Sequence, residues 1–248
     1  MIENAVILAA GTGTRLKPLT NHSPKCLTEV NGIPILFNAL QNLYHNNIKK
    51  TTIVTGYFSE TIQNTLGTTY RGMEIQYKYN KIYEKTNDIY SLWLARDVME
   101  KGAVILEGDI FFRAHILKKA LCTNKGKSYY IGGKYNMKEN EVMIYTDPQL
   151  RINAITILEN ERGECGKYTF MSAGILVVQS DYGRYFSCWL DEFVHQNKLN
   201  ILFDRVLSEH VAELPLYVFE IPQHEWVEID TGSDLREAER LFPASNIK

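Results

Sequence analysis

Leu8-Ala9-Ala10-Gly11-Thr12-Gly13-Thr14-Arg15-Leu16 is the stretch that decides how this chain folds. Its start overlaps an apolar run, Ala5-Val6-Ile7-Leu8-Ala9, so a buried strand feeds straight into a glycine-rich turn. Glycines at such a turn let backbone N–H groups approach and surround phosphate oxygens. The turn is not a P-loop, because no Gly-Lys-Ser/Thr follows at the required spacing. It is also a poor dinucleotide fingerprint. Leu16 stands where the third glycine belongs, and Thr55-Gly56-Tyr57 stands where a ribose-binding acid should end the second strand. Beyond the turn come Arg15 and then Pro24-Lys25. A guanidinium forks onto phosphate oxygens and an ammonium acts as a compact point charge. Gly11, Gly13, Arg15, Pro24 and Lys25 together predict a triphosphate site.

The composition agrees with phosphate binding that is local. The chain has 248 residues, 45% apolar and 23% charged, which is ordinary for a globular fold large enough to bury a core. Lys plus Arg is 27 and Asp plus Glu is 29, a formal charge of −2. That balance argues against a nucleic-acid partner, which calls for a basic face. Cys26, Cys122, Cys165 and Cys188 are widely spaced with no Cys-x-x-Cys pair, as expected of free thiols in a reducing cytoplasm. His195 follows Glu192 by three residues without a further ligand nearby, so a zinc site is not expected. The first apolar run is too short for a signal peptide or a membrane span, and no membrane partner is expected.

Outward from the turn, strand-like and helix-like segments alternate. Helices are predicted over Pro34–His45, Ser59–Leu66 (capped by Ser59) and Asp88–Met99, with Leu92, Ala95 and Met99 on one side. Strands are predicted over Thr51–Thr55, Met73–Tyr79 and Ala103–Leu106. This order argues a parallel sheet covered on both faces. The second half is richer in strands: Ser128–Gly133, Glu141–Tyr145, Ala154–Leu158, Thr169–Val178, Leu216–Ile221 and Trp226–Ile229. Helices there span Ser180–Gln196, Leu202–His210 and Ser233–Leu241, the last capped by Ser233. The expectation is one α/β domain over residues 1–248 with a small antiparallel insertion. Residues 1–125 form a nucleotide-binding half and 126–248 an acceptor-binding half that carries the second metal ligand.

A bound triphosphate calls for a divalent cation, and Mg²⁺ takes few protein carboxylates. Glu107-Gly108-Asp109 ends a buried strand, the place where ligands sit in open α/β sheets. Asp109 is the predicted ligand, and Glu107 either joins it or braces the strand. Glu228-Ile229-Asp230, followed by Thr231-Gly232, repeats the pattern far along the chain, and Asp230 is the predicted second ligand.

These residues resemble the signature of nucleotidyltransferases that activate sugar-1-phosphates and related phosphates. The resemblance spans Leu8–Leu16, Pro24-Lys25, Val54–Tyr57, Glu107–Asp109 and Glu228–Asp230. Tyr79–Tyr83 and Thr86–Leu92 make it most similar to bacterial choline-phosphate cytidylyltransferases and to relatives acting on phosphonates. The short C-terminus fits, having no room for the β-helix domain of many sugar-1-phosphate enzymes. The resemblance implies a Rossmann-like fold and CTP as the nucleotide. It puts Leu8, Ala9, Ala10, Gly11, Thr12, Gly13 and Thr14 on the nucleotide, Asn87 and Ser91 near the base, Arg15 and Lys25 on the phosphates, and Asp109 and Asp230 on Mg²⁺.

Choline-phosphate enzymes cage the trimethylammonium group with aromatic residues. Glu139–Met143 stands where one such Trp is expected, and in Asn200–Asp204 only Phe203 and Asp204 match. Phosphocholine, phosphoethanolamine and 2-aminoethylphosphonate therefore all remain acceptors to weigh, with Lys134, Phe203 and Asp204 as candidate acceptor contacts. The implied reaction is in-line attack of a phosphate or phosphonate oxygen on the α-phosphorus of CTP, releasing pyrophosphate. Two rivals stand beside it: a sugar-1-phosphate nucleotidylyltransferase using UTP or dTTP, and a non-catalytic nucleotide-binding regulator. A homodimer is compatible with the sequence.

Overall fold

The computed structural model describes residues 2–123, 126–134, 142–158 and 166–243. The chain opens with β1 (Asn4–Ala9), whose end passes through the glycine-rich turn into short 3₁₀ turns at Thr14–Leu16, Leu19–Asn21 and Lys25–Leu27. A small ribbon, β2 (Glu29–Val30) and β3 (Ile33–Pro34), leads into α1 (Ile35–His45). Then follow β4 (Lys50–Thr55), α2 (Ser59–Leu66), β5 (Thr69–Tyr70), β6 (Met73–Tyr79), α3 (Asp88–Leu94), α4 (Arg96–Met99) and β7 (Ala103–Glu107). The second half runs β8 (Ile110–Phe112), α5 (His115–Thr123), β9 (Ser128–Lys134), β10 (Val142–Thr146), β11 (Ile152–Ile157) and β12 (Thr169–Val178). It closes with α6 (Ser180–His195), α7 (Phe203–His210), β13 (Leu216–Glu220), β14 (Trp226–Glu228) and α8 (Gly232–Leu241).

The main sheet is mixed, in the order β11-β10-β12-β7-β1-β4-β6-β5, with β9 and β13 branching from β12. At its centre β7, β1, β4 and β6 are parallel. Leu8 on β1 stands beside Val54 on one side and Glu107 on the other. From β1 the chain builds outward to β4 and β6, then returns to place β7 on the opposite flank. The carboxyl ends of β1 and β7 therefore face a crevice at the point where strand order reverses, the usual ligand position in such sheets. β12 joins antiparallel to β7 and carries the sheet into its antiparallel part.

Alternation along the strands fills both faces. Ala5, Ile7, Ile53, Val104 and Leu106 pack toward α1, α2 and α5. Val6, Leu8, Val54, Ala103 and Ile105 pack toward α3, α4, α6 and α7. At about 25 cal/mol per Å² of apolar surface removed from water, this two-sided burial is the main favourable term holding the layers together. A third cluster joins Leu16, Phe111, Val227, Ile229, Ala238 and Phe242. It ties the phosphate turn to the β8–β14 pair and α8, and so fixes where Asp230 lies.

The structure departs from the sequence expectations in several places. The predicted helix over 88–99 breaks at Ala95 (φ −101°, ψ 12°), and Arg96 turns back to donate to the Trp93 carbonyl at 3.0 Å. Ser59 is the first residue of α2 and not its cap; its hydroxyl pairs with Thr55 Oγ1 at 2.7 Å. α8 is capped by Thr231 instead of Ser233. Thr231 accepts from the Asp234 N–H while the Asp234 side chain accepts from the Thr231 N–H, a reciprocal capping box. The strand β8 and helix α5 were not anticipated. Cys26, Cys122 and Cys188 are free thiols. Cys165 and the predicted positions Glu139, Asn140 and Glu141 lie outside the described residues. Among the described residues, no helix is long and apolar enough to cross a membrane.

Candidate active site

The glycine-rich turn is built by close approach. Gly13 adopts a left-handed backbone (φ +62°), and a Cβ there would stand 2.9 Å from the Lys25 Cβ. A side chain at this position would push Lys25 away and strain the backbone as well. The turn is fastened by Leu16 N–H to the Gly13 carbonyl at 3.1 Å and by the Thr20 hydroxyl to the same carbonyl at 2.7 Å. Gly108 meets the same constraint from β7, since a Cβ there would lie 2.5 Å from the Leu8 carbonyl oxygen. The two strand ends thus touch through a glycine, and Asp109 is delivered beside the phosphate turn.

Asp230 arrives from the other end of the chain. β14 pairs antiparallel with β8, and the Ile229 N–H donates to the Asp109 carbonyl at 3.0 Å. Lys25 sits between the two acids: its Nζ lies 2.6 Å from Asp109 Oδ2 and 2.5 Å from Asp230 Oδ1. Arg15 Nη2 takes the other oxygen of Asp230 at 2.8 Å. Lys25 is largely buried, with 14% of its side chain exposed, whereas Arg15 is 64% exposed. Burial alone would lower the Lys25 pKa; the facing carboxylates of Asp109 and Asp230 outweigh it and hold the ammonium firmly charged. Burial likewise opposes ionisation of Asp230, and Lys25 and Arg15 reverse that effect, holding its carboxyl below the usual range.

Glu107, Asp109 and Glu228 each offer an oxygen within 4.8 Å of the others, an arrangement that could hold a metal ion. Asp109 Oδ1 is buried and has no hydrogen-bond partner. A buried acceptor left unmatched is costly, so the donor set fits a cation at this point. Sequence reading paired Asp109 with Asp230 and left Glu107 open and Glu228 unassigned. Both oxygens of Asp230 are engaged by basic side chains, so it would have to release one to join a metal. The signal for Glu228 was available: Glu107-Gly108-Asp109 and Glu228-Ile229-Asp230 place a glutamate two residues before an aspartate at two strand ends.

These groups share a cleft of about 320 Å³. Leu8, Ala9, Ala10, Gly11, Gly13, Thr14, Arg15 and Lys25 line it together with Asn87, Ser91, Asp109 and Asp230; Thr12 is not among its lining residues. Asn80, Tyr83, Thr86, Asp88, Leu202 and Glu228 also line it and were not predicted as site residues. The predicted acceptor contacts lie elsewhere. Phe203 and Asp204 are buried in the core, where Asp204 accepts from the Tyr130 hydroxyl at 2.5 Å; neither presents surface to a ligand. The apolar periodicity of α7 explains this, since Phe203, Val206 and Leu207 all turn inward. Lys134 is also outside the cleft. It lies in a separate depression with Glu220 and Gln223, donates to the Lys167 carbonyl at 2.7 Å and sits 3.9 Å over the Phe170 ring.

The chain is 27% identical over 240 residues to 2-aminoethylphosphonate cytidylyltransferase of Lancefieldella rimae, covering 94% of this chain and 90% of that protein. It is 24% identical over 243 residues to choline-phosphate cytidylyltransferase of Streptococcus pneumoniae, covering 98% and 99%. The solved structure of CTP:phosphocholine cytidylyltransferase from Streptococcus pneumoniae shares the fold, with a TM-score of 0.79 at 22% identity over 97% of this chain and 100% of that one. A sequence model described as nucleotidyl transferase matches residues 4–141, from the first strand through the phosphate turn and Asp109. By that match the chain belongs to the nucleotidyl transferase family.

Proposed function

We propose that this protein transfers a cytidylyl group from CTP to a small phosphate or phosphonate of the phosphocholine, phosphoethanolamine or 2-aminoethylphosphonate type, releasing pyrophosphate. The observation that carries this reading is Lys25 held between Asp109 and Asp230 beside the glycine-rich turn. Support for cytosine, and for 2-aminoethylphosphonate and phosphocholine as acceptors, comes from relatives that align over nearly the whole chain.

The acceptor's oxygen attacks the α-phosphorus in line with the leaving pyrophosphate. With a second phosphate pKa of about 6, that oxygen is already anionic near neutral pH, so no general base is needed. The residues lining the cleft include no histidine, in keeping with this. Catalysis is then positioning and charge neutralisation. Backbone groups from Leu8 to Thr14 cradle ribose and phosphates. Lys25, buried and charged, offsets charge at the α-phosphate, and the exposed Arg15 is placed to swing onto the β- and γ-phosphates. Asp109, with Glu107 and Glu228 beside it, would hold Mg²⁺; Asp230 would contribute on releasing a basic partner. Bound there, Mg²⁺ would neutralise charge on the reacting phosphates. Asp88 and Leu202 line the cleft, unlike Phe203 and Asp204, and take their place as the proposed acceptor contacts. The free thiols suit a reducing compartment such as the cytoplasm.

The test is pyrophosphate release from CTP, UTP, GTP and dTTP, each with a panel of phosphates, phosphonates and sugar-1-phosphates. Release with CTP and an aminoalkyl phosphate or phosphonate supports the reading. Release only with UTP or dTTP and a sugar-1-phosphate replaces it with the sugar enzyme, and nucleotide binding without release replaces it with a regulator.

A further inference from the structure

The acids lining the cleft are Asp88, Glu107, Asp109, Glu228 and Asp230. The basic side chains lining it are Arg15 and Lys25, and both are paired with acids of this set. The groups best suited to bind phosphate are therefore directed at the protein's own carboxylates. Any polyanion that uses them must first draw them away.

Lys25 is fixed at its base. It opens the short 3₁₀ turn Lys25–Leu27, and its carbonyl accepts from the Thr28 N–H at 2.9 Å. Its Cβ lies against Gly13, so the stem starts beside the phosphate turn. The flexible methylene stem carries Nζ across to Asp109 Oδ2 at 2.6 Å and Asp230 Oδ1 at 2.5 Å. Contacts of this length are charge-assisted hydrogen bonds. Asp109 Oδ1, on the same carboxylate, is buried without a hydrogen-bond partner and belongs to the donor set that fits a cation. Mg²⁺ binds carboxylate oxygens at about 2.1 Å. A divalent ion on Asp109 would thus be a close neighbour of the ammonium, and like charges at that range repel.

We infer that Lys25 is a counter-ion with two positions. On Asp109 and Asp230 it competes with the divalent cation. On the phosphates of a bound nucleotide it leaves both carboxylates to that cation. The inference rests on the nucleotide reading of the cleft and deepens it, because it names the side chain that couples metal loading to nucleotide loading. A cation entering alone meets the ammonium, and a polyanion entering alone takes the counter-ions from the acids. Each ligand removes the obstacle to the other, which is positive coupling between two sites.

The experiment measures metal affinity of the nucleotide-free protein, by calorimetry with Mg²⁺ and by electron paramagnetic resonance with Mn²⁺. The proteins are wild type, Lys25→Met, Arg15→Met, Asp230→Asn and the double variant Lys25→Met with Asp230→Asn. Lys25→Met should tighten the metal about tenfold, within the usual range of coupling between sites. Arg15→Met should tighten it by less, since Arg15 leaves Asp109 to Lys25. The gain from Lys25→Met should shrink to less than about threefold in the Asp230→Asn background, where one contested carboxylate is gone. CTP affinity should also gain more from added Mg²⁺ in wild type than in Lys25→Met. Unchanged or weaker metal binding in Lys25→Met would overturn the inference. So would an equal gain in the Asp230→Asn background, which marks a general field effect, or an equal Mg²⁺ gain in CTP affinity. Arg15 is 64% exposed, so Arg15→Met stays decisive if Lys25→Met does not fold, and no tightening there overturns the inference too. Tighter metal in Lys25→Met, with no transfer by wild type to any acceptor, sinks the transferase reading and leaves this coupling standing. Transfer by wild type with unchanged metal affinity in Lys25→Met does the reverse.

Discussion

The Lys25 ammonium lies 2.6 Å from Asp109 Oδ2, joining the phosphate turn to the end of the central strand β7. The same ammonium holds Asp230 at 2.5 Å, so one side chain joins three distant parts of the chain. Replacing Lys25 with Met removes the charge and keeps most of the stem. Transfer should drop by at least about 100-fold in kcat/KM, the scale of losing one preorganised charge at a reacting phosphate. The melting temperature should drop too, because Asp109 loses its counter-ion and Asp230 keeps only the exposed Arg15. Lys25→Arg should recover more stability than activity, since a planar guanidinium cannot occupy the ammonium's position. Steady-state kinetics and thermal melts of both variants check this, and equal recovery of the two properties would contradict it.

Gly108→Ala should damage the nucleotide site through the backbone. The added Cβ would press on the Leu8 carbonyl and approach the Ala9 Cα at 3.2 Å, so the end of β1 must shift. A destabilisation of about 1–3 kcal/mol is expected, with KM for the nucleotide rising more than kcat falls. Chemical denaturation and initial rates give both values. An unchanged KM would show that the strand contact does not shape the site.

Divalent cations should stabilise the folded protein through Asp109. Mg²⁺ titration should raise the melting temperature of the wild type, as expected for a ligand that binds only the native state. The rise should vanish in Asp109→Ala and shrink in Glu107→Gln and Glu228→Gln. A shift of equal size in the wild type and Asp109→Ala would place the cation elsewhere.

Asp204 should contribute stability on the acid side that fades toward neutral pH. Burial pushes its carboxyl up to about 6, against the pull of the Tyr130 hydroxyl that donates to it. Its unfolded value is about 4. The folded state therefore binds the proton more tightly, and this contribution is complete below about pH 4 and lost as pH rises through about 6. Asp204→Asn keeps an oxygen for Tyr130 and removes the titration, so the decline in stability between those values should flatten. Denaturation curves at closely spaced pH measure it, and the same slope in both proteins would refute the assignment.

Much of this architecture was legible in the sequence because each signal was local. Ala5–Ala9 running into Gly11 and Gly13 announced the central strand and its turn, and Glu107-Gly108-Asp109 announced the end of β7. The parts that were not legible depend on distant partners. Nothing near Asp230 reveals that Lys25 and Arg15 take both its oxygens. Nothing near Asn80 shows that its amide orders Thr86 and Ser91, because that depends on how the segment after β6 folds back. Phe203 and Asp204 were read as acceptor contacts from a loose motif match, but the inward periodicity of α7 buries both. The break at Ala95 was hidden because Leu92, Ala95 and Met99 are all buried on either side of it.

The central claim is cytidylyl transfer at the Lys25–Asp109–Asp230 site. Its most direct test is incubation with CTP labelled at the α-phosphate, Mg²⁺ and 2-aminoethylphosphonate, phosphoethanolamine or phosphocholine in turn, followed by mass spectrometry. The account predicts that the label appears in a CMP–acceptor adduct with at least one of them, with one pyrophosphate per adduct, and that Asp109→Ala forms adduct slower by orders of magnitude. CTP bound by the wild type with no adduct from any acceptor, or adduct formed by Asp109→Ala at the wild-type rate, would contradict it.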